Sequence, residues 1–323
     1  MTGFTPAAAH FSACRRILFR SRYRQRETEN IVVGTIRQGA QFVEVNGITL
    51  HCYVRGSGPI LLLPSPGWGP SVDYLMPQPA LERHCTVVYF DARHSGKSTG
   101  PENPEGYTLD HYVADIEALR VYLDAPQVFV AGHSGGGHQA LAYGIEHDAH
   151  LLGIISIDAI AAADDVRNRE MTKMIDKRWT EPFYRAHPTY IDDAMATMSG
   201  GGGSLTIEEI LDKTGALYFH DPEKAAGGLA NLQFDNDVLR YSQMSGFQSK
   251  NLLPELPRIS APTLIIVGDD DFQCDPVSQG ARMHAAMPSS TLEIIEDAGH
   301  FPWIEQPDAF DAACDKWFAT LSA

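Results

Sequence analysis

The sequence predicts an α/β fold: a mostly parallel sheet of eight strands with helices on both faces. Short, continuous apolar runs recur along the chain, namely "PILLLP", "CTVVYF", "QVFVAG", "LLGIISID", "PTLIIVG" and "TLEIIED". Such runs are expected of strands covered on both faces. Helical patterns lie between them, and that alternation implies parallel pairing. At the start, "FVEV" and "ITLHCYVR" flank Asn46-Gly47, the signal of an antiparallel hairpin.

The helices follow from their spacing. "TLDHYVADIEALRVYLDA" sets Tyr112, Ile116, Leu119 and Leu123 on one helical face. A second helix opens right after Ser134, and a third closes the chain from about Pro307 to Leu321. The alternation stops after Ala161 and resumes near Pro262. The stretch between is rich in Met, Trp, Tyr and charge, and holds a flexible "SGGGGS" loop, Ser199 to Ser204. Residues 162–250 are therefore expected to form a helical lid over a core built from 38–161 and 251–323. No internal repeat shows.

Composition narrows the function. The 323 residues are 44% hydrophobic, which suits one large globular domain carrying an insertion. No apolar run approaches the length that spans a bilayer, so no integral membrane segment is expected. A net charge of −16 repels phosphate backbones and argues against nucleic acid as a partner. Cys14, Cys52, Cys85, Cys274 and Cys314 are scattered with no metal-like spacing. They read as buried free thiols of a cytoplasmic protein without a metal. Residues 1–37 break the charge trend, with Arg15, Arg16, Arg20, Arg22, Arg24 and Arg26 and no carboxylate before Glu27. This stretch reads as a helix with two uses: a mitochondrial targeting peptide, or a packing element on the acidic body or on a second subunit of a homodimer.

The chemistry begins at Gly132-His133-Ser134-Gly135-Gly136, a G-x-S-x-G pattern between a strand and a helix. The turn there is cramped, so the residues two before and two after the serine must be tiny. Ligands of open parallel sheets bind beyond the carboxyl ends of the strands, where this hydroxyl is held. A serine needs a base, and the base an orienting carboxylate. Two other strand ends offer them: Asp269-Asp270-Asp271 after "PTLIIVG", and His300 after "TLEIIEDAG".

From about residue 41 onward the chain resembles the α/β-hydrolases. Besides the serine turn and the order Ser, Asp, His, it carries "FDARHSGKST", close to the family's D-x-R-G-x-G-x-S turn. It also has "GHFPWIEQP" and the G-x-x-D spacing from Gly268 to Asp271. The resemblance implies Ser134 as nucleophile, His300 as base and Asp271 as acid. Asp269, Asp270 and Asp275 are the alternatives to Asp271, the first two reading as a solvated turn. Of the 13 histidines, His94 stands where the family's turn has glycine. His133 is expected to pack against the pocket or line it, and His138 to be structural.

Acyl transfer also needs two N–H donors for the carbonyl oxygen. The resemblance gives one to Gly135. The other usually follows the "PILLLP" strand, where relatives carry His-Gly. Here "LLLPSPGWGPS" puts Pro66 at that place, and proline has no N–H. The donor falls to Gly67 or Trp68, and the Trp68 indole is a candidate pocket wall.

Ser134 argues against the epoxide hydrolases and haloalkane dehalogenases, which put aspartate at this turn. The nearest subgroup by look is the proline-iminopeptidase-like hydrolases. Their His-Gly-Gly-Pro-Gly motif and the aromatic after the serine are missing, and Glu181, Glu208 and Glu209 read as solvated lid surface. The expected reaction is hydrolysis of an ester or lactone of a small, largely apolar molecule, without a cofactor. Trp179, Phe183, Tyr184, Tyr218, Phe219 and Phe234 are candidate roof residues. An aminopeptidase or amidase, a C–C bond hydrolase and a ligand receptor on the same fold are the alternatives.

Overall fold

A computed structural model describes residues 36–201, 205, 207–228, 232 and 234–321. The Arg-rich stretch before residue 36, and positions 202–204 of the glycine loop, lie outside the described residues.

The strands are β1 (Gly39–Val45), β2 (Ile48–Gly56), β3 (Ile60–Pro64), β4 (Thr86–Phe90), β5 (Val128–His133), β6 (Leu151–Ile157), β7 (Thr263–Gly268) and β8 (Ser290–Ile295). They form one eight-stranded sheet in the order β1-β2-β4-β3-β5-β6-β7-β8. β1 and β2 run antiparallel, as do β2 and β4. From β4 through β3 and β5 to β8 every pairing is parallel. Asn46 (φ 51°) and Gly47 (φ 74°) both take the left-handed region. That is what a two-residue hairpin turn requires, and it sets Val45 opposite Ile48.

The apolar strands are buried on both faces because successive side chains alternate sides. On β4, Val88 and Phe90 enter one core while Val87 and Tyr89 enter the other. Ile154 of β6 and Ile265 of β7 join the first; Ile155 and Leu264 join the second. Helices α2 (Leu109–Tyr122) and α3 (Gly135–His147) follow α1 (Pro79–His84) in the chain. α2 packs on the first core through Tyr112, Ile116, Leu119 and, just past its end, Leu123. The opposite face is covered by α1 and the C-terminal helix, through Leu81, Phe310, Trp317 and Phe318.

Between β6 and β7 lie α4 (Asp165–Arg178), α5 (Pro182–Ala186), α6 (Tyr190–Ala196), α7 (Ile207–Thr214), α8 (Ala225–Gly228) and α9 (Asn236–Ser245). After β7 come α10 (Ala281–Ala286), α11 (Pro302–Glu305) and α12 (Pro307–Leu321). The chain leaves and re-enters the sheet layer at one place, where the Leu252 amide donates to the Ala161 carbonyl at 2.8 Å. The helical segment has its own apolar cluster of Ile175, Tyr184, Ile191, Ala194 and Leu217, joined by Phe272 from the loop after β7. It touches the sheet's strand-end loops at several points, two of which lie on either side of the sheet's centre. Phe234 bridges Pro70 after β3, and Arg178 pairs with Asp270 after β7 at 2.5 Å.

Candidate active site

Ser134 sits between β5 and α3 with φ 54° and ψ −118°. A non-glycine residue there is strained, and close packing holds it. A β-carbon at Gly132 would lie 2.1 Å from the Gly136 carbonyl oxygen, and one at Gly137 2.3 Å from the Ala159 Cβ. The glycines are thus demanded by contact, and the Ser134 amide is fixed by the Ile157 carbonyl at 3.0 Å.

The loops after β7 and β8 meet next to it. A β-carbon at Gly268 would lie 2.1 Å from the Gly299 carbonyl oxygen, so the two loops are in van der Waals contact. There His300 Nδ1 and Asp271 Oδ2 are 2.7 Å apart. Asp271 is fully buried and also accepts the Gln273 amide at 2.8 Å. Burial alone would push its carboxyl up. The His300 imidazole and the hydrogen bonds from that ring and from backbone amides outweigh burial and hold it below the usual carboxylate range. Ser134 is 7% exposed and His300 4%, so the site is nearly sealed. The Ser134 hydroxyl has no hydrogen bond among the described residues, an open arrangement common before a ligand fills a site.

Four nearby features go beyond the expectations drawn from the sequence. First, His133 lies beneath His300, ring centroids 4.5 Å apart, and its Nε2 is 2.8 Å from the His300 carbonyl oxygen. A carbonyl only accepts, so Nε2 carries the proton, and Nδ1 accepts from the Tyr74 hydroxyl at 2.8 Å. Burial, with the His300 imidazole beside it, pushes the His133 pKa well down, so this ring is neutral.

Second, Asp158 at the end of β6 is fully buried with φ 40°. Its Oδ1 accepts the Gly268 amide at 2.9 Å, while no donor reaches Oδ2. Burial first, then the Asp271 carboxylate alongside, raises its pKa well above the usual range. Of this pair Asp158 keeps the proton and Asp271 the charge. A carboxylate one residue past a strand end was the available signal for it.

Third, Asp270 is not a solvated turn residue. It is 2% exposed and binds Arg178 at 2.5 Å, Lys177 at 2.6 Å and His220 at 3.1 Å, because α4 of the helical segment covers it. Asp269 is exposed, as expected. Fourth, Glu305 accepts the amides of Gly299, His220 and Asp221 at 2.6–3.1 Å, fastening the helical segment beside His300.

The loop after β3 closes the other side. A β-carbon at Gly135 would lie 2.4 Å from the Pro66 carbonyl oxygen, so this loop rests directly on the amide after the serine. Gly67 has φ +85° and its carbonyl accepts the Tyr112 hydroxyl. Among the described residues the Gly67 and Trp68 amides make no hydrogen bond within the protein.

The aromatic residues divide. Tyr218 lies with its ring 5.5 Å from that of His300, and its carbonyl accepts the His300 amide at 2.7 Å. Trp68 packs on Phe234 at 4.9 Å. Phe183 and Tyr184 are not brought to the serine. They pack on each other and on Tyr190, and the Tyr184 hydroxyl donates to Ala216 at 2.9 Å. Trp179 caps α4 and is 39% exposed. Phe219 is fully buried and stacks on Phe301 at 5.0 Å. The apolar surface of Phe183, Tyr184 and Phe219 fills cores, while that of Trp179 is partly open to solvent. His138 is buried and its Nδ1 donates to the Ile160 carbonyl at 2.7 Å. His94, at φ 58°, meets the Tyr107 hydroxyl at 2.9 Å. Donor atoms of Asp271, Cys274 and His300 lie within 4.8 Å of one another, but Asp271 already holds His300 Nδ1 and burial pushes the Cys274 thiol well up.

An eight-stranded, mostly parallel sheet with a serine at the β5 turn and an Asp–His pair at the ends of β7 and β8 defines a hydrolase fold. The chain belongs to the alpha/beta hydrolase family, whose model matches residues 60–313, and it is a hydrolase. It is 25% identical over 269 residues to a proline iminopeptidase of Saccharolobus solfataricus, covering 80% of this chain and 84% of that one. Among solved structures it is similar to a proline iminopeptidase-related protein of Thermus thermophilus (TM-score 0.67, 22% identity, 89% of this chain and 99% of that one). It is also similar to the enol-lactonase of Burkholderia xenovorans (TM-score 0.62, 23% identity, 86% and 100%). Among the described residues no helix is long and apolar enough to cross a membrane.

Proposed function

We propose that the protein is a serine hydrolase that cleaves an ester or lactone of a small, largely apolar molecule through an acyl-enzyme. The 2.7 Å contact between His300 Nδ1 and Asp271 beside a strained Ser134 carries this reading. Ser134 Oγ attacks the carbonyl carbon, the π pair moves to oxygen, and the serine proton passes to His300 Nε2. Asp271 holds Nδ1–H and balances the imidazolium. The bond to the leaving oxygen then breaks and His300 returns the proton to it. Water, deprotonated by the same imidazole, frees the acid and restores Ser134. The amides of Gly135 and of Gly67 or Trp68 bind the oxyanion. Residues 162–250 act as a lid, with Tyr218 and Phe234 facing the site.

The choice of ester over peptide rests on the buried carboxylates around the site. A free amino terminus needs an ionised one to bind it, yet Asp158 keeps its proton and the others are taken. Asp271 holds His300, Asp270 and Glu181 hold Arg178, and Glu305 holds backbone amides. A proline-iminopeptidase-like activity is the second reading, favoured by the 25% identity to such an enzyme.

The test is a panel of p-nitrophenyl esters, lactones and proline p-nitroanilide, run on the wild type and on Ser134→Ala. Ester or lactone turnover that Ser134→Ala abolishes is expected, with the anilide uncut. Cleavage of the anilide alone would favour the peptidase. Turnover unaffected by Ser134→Ala would overturn both.

A further inference from the structure

Pro66 has no N–H to offer where the resemblance places the second oxyanion donor, and a side-chain amide lies close to Gly135. Helix α9 ends at Gly246 in the left-handed conformation, φ 67°, which turns the chain back toward the sheet. Phe247 anchors the return: it is buried and its ring lies 4.6 Å from that of Tyr112. A β-carbon at Gly67 would lie 3.2 Å from the Phe247 ring, and one at Gly135 3.3 Å from it. The ring therefore wedges between the two segments expected to supply the oxyanion donors. The next residue, Gln248, is half-buried, and its Nε2 lies 2.6 Å from the position a β-carbon on Gly135 would occupy. Among the described residues this carboxamide has no hydrogen-bond partner within the protein.

We propose that the Gln248 carboxamide is a further catalytic donor, hydrogen-bonding the substrate's carbonyl oxygen as it becomes an oxyanion. The inference rests on the serine-hydrolase reading above. A side-chain amide is a suitable oxyanion donor, neutral and fixed, and its two N–H groups cannot be lost by titration. Gln248 would add, to the amides of Gly135 and of Gly67 or Trp68, a donor from just past the end of α9.

The test uses Gln248→Met, which keeps length but loses the donor, and Gln248→Glu, which puts a carboxylate there. The full-length protein is assayed on its best ester, with a fluorophosphonate probe and mass spectrometry reporting on Ser134. Gln248→Met should lower kcat about 10- to 100-fold with KM changed by less than about threefold. It should weaken binding of a boronic acid, which forms a tetrahedral anion on serine, by about the same factor as kcat/KM. Gln248→Glu should lose more, and progressively more from pH 5 to 8 as the new carboxyl ionises and repels the oxyanion. Unchanged kcat in Gln248→Met would overturn the proposal. So would equal losses in both variants with one pH dependence, since that marks a packing role. A wild type that the probe does not label at Ser134 would instead sink the underlying reading.

Discussion

His133 donates from Nε2 to the backbone carbonyl of His300 at 2.8 Å, so the residue before the candidate nucleophile steadies the main chain of the candidate base. The Tyr74 hydroxyl fixes that tautomer from the other side. His133→Phe keeps a ring in place but strands two buried polar groups, the His300 carbonyl and the Tyr74 hydroxyl. At about 1–3 kcal/mol each, urea denaturation should show a loss of roughly 2–6 kcal/mol. Tyr74→Phe strands only the imidazole nitrogen and should cost about half as much.

Asp271→Asn would put an amide where the imidazole needs an acceptor and turn His300 to the wrong tautomer. Ester turnover should fall about 10³- to 10⁴-fold with KM little changed. Steady-state kinetics on the purified variant would check this, and a loss under tenfold would remove Asp271 from its assigned role.

Asp158 gives a pH signature. The native protein keeps its proton above the usual carboxylate range, while the unfolded chain gives it up near pH 4. Above that point the unfolded state binds fewer protons, so this group drains stability as pH rises, until the native carboxyl ionises. Asp158→Asn is isosteric, still accepts from the Gly268 amide, and is neutral at every pH. Its stability relative to wild type should climb from about pH 4 upward, by up to about 1.4 kcal/mol per pH unit. Activity should persist. A stability difference that stays flat between pH 4 and 8 would show that Asp158 is ionised in the native protein.

Arg178 and Asp270 form an ion pair with both side chains nearly sealed from water. Arg178→Met leaves a buried, half-compensated carboxylate and should cost about 3–5 kcal/mol. Adding Asp270→Asn should restore part of that loss. A double-mutant cycle by thermal or chemical unfolding reads the coupling, and additive losses would mean that the two side chains do not depend on each other.

The central strands were legible in the sequence because two buried faces require an unbroken apolar run, as in Thr86–Phe90, whereas the outer strands β1 and β8 leave one side partly exposed. The serine turn was legible because close approach there excludes any residue larger than glycine at Gly132. The aromatic roof was not. Phe183 and Tyr184 have the same composition whether they face a cavity or one another, and only tertiary packing decides. Glu305 lies in the quoted "GHFPWIEQP" motif, but its bonds to His220 and Asp221, like the position of Gln248 beside Gly135, arise from loops that meet only after the chain has folded. Asp270 was misread for a related reason, since its cation lies more than ninety positions upstream.

The first helices of 162–250 share an apolar cluster of Ile175, Tyr184, Ile191 and Leu217, while Phe219, Val238 and Phe247 join the cores of the sheet. Such an arrangement separates two evolutionary tasks. The strand ends can keep one reaction geometry unchanged while the overlying piece is rebuilt, residue by residue, to admit differently shaped molecules. Directed evolution of selectivity in this protein should therefore start with the residues of that cluster rather than with Arg178, Phe219 or Phe247, which tie the piece to the sheet.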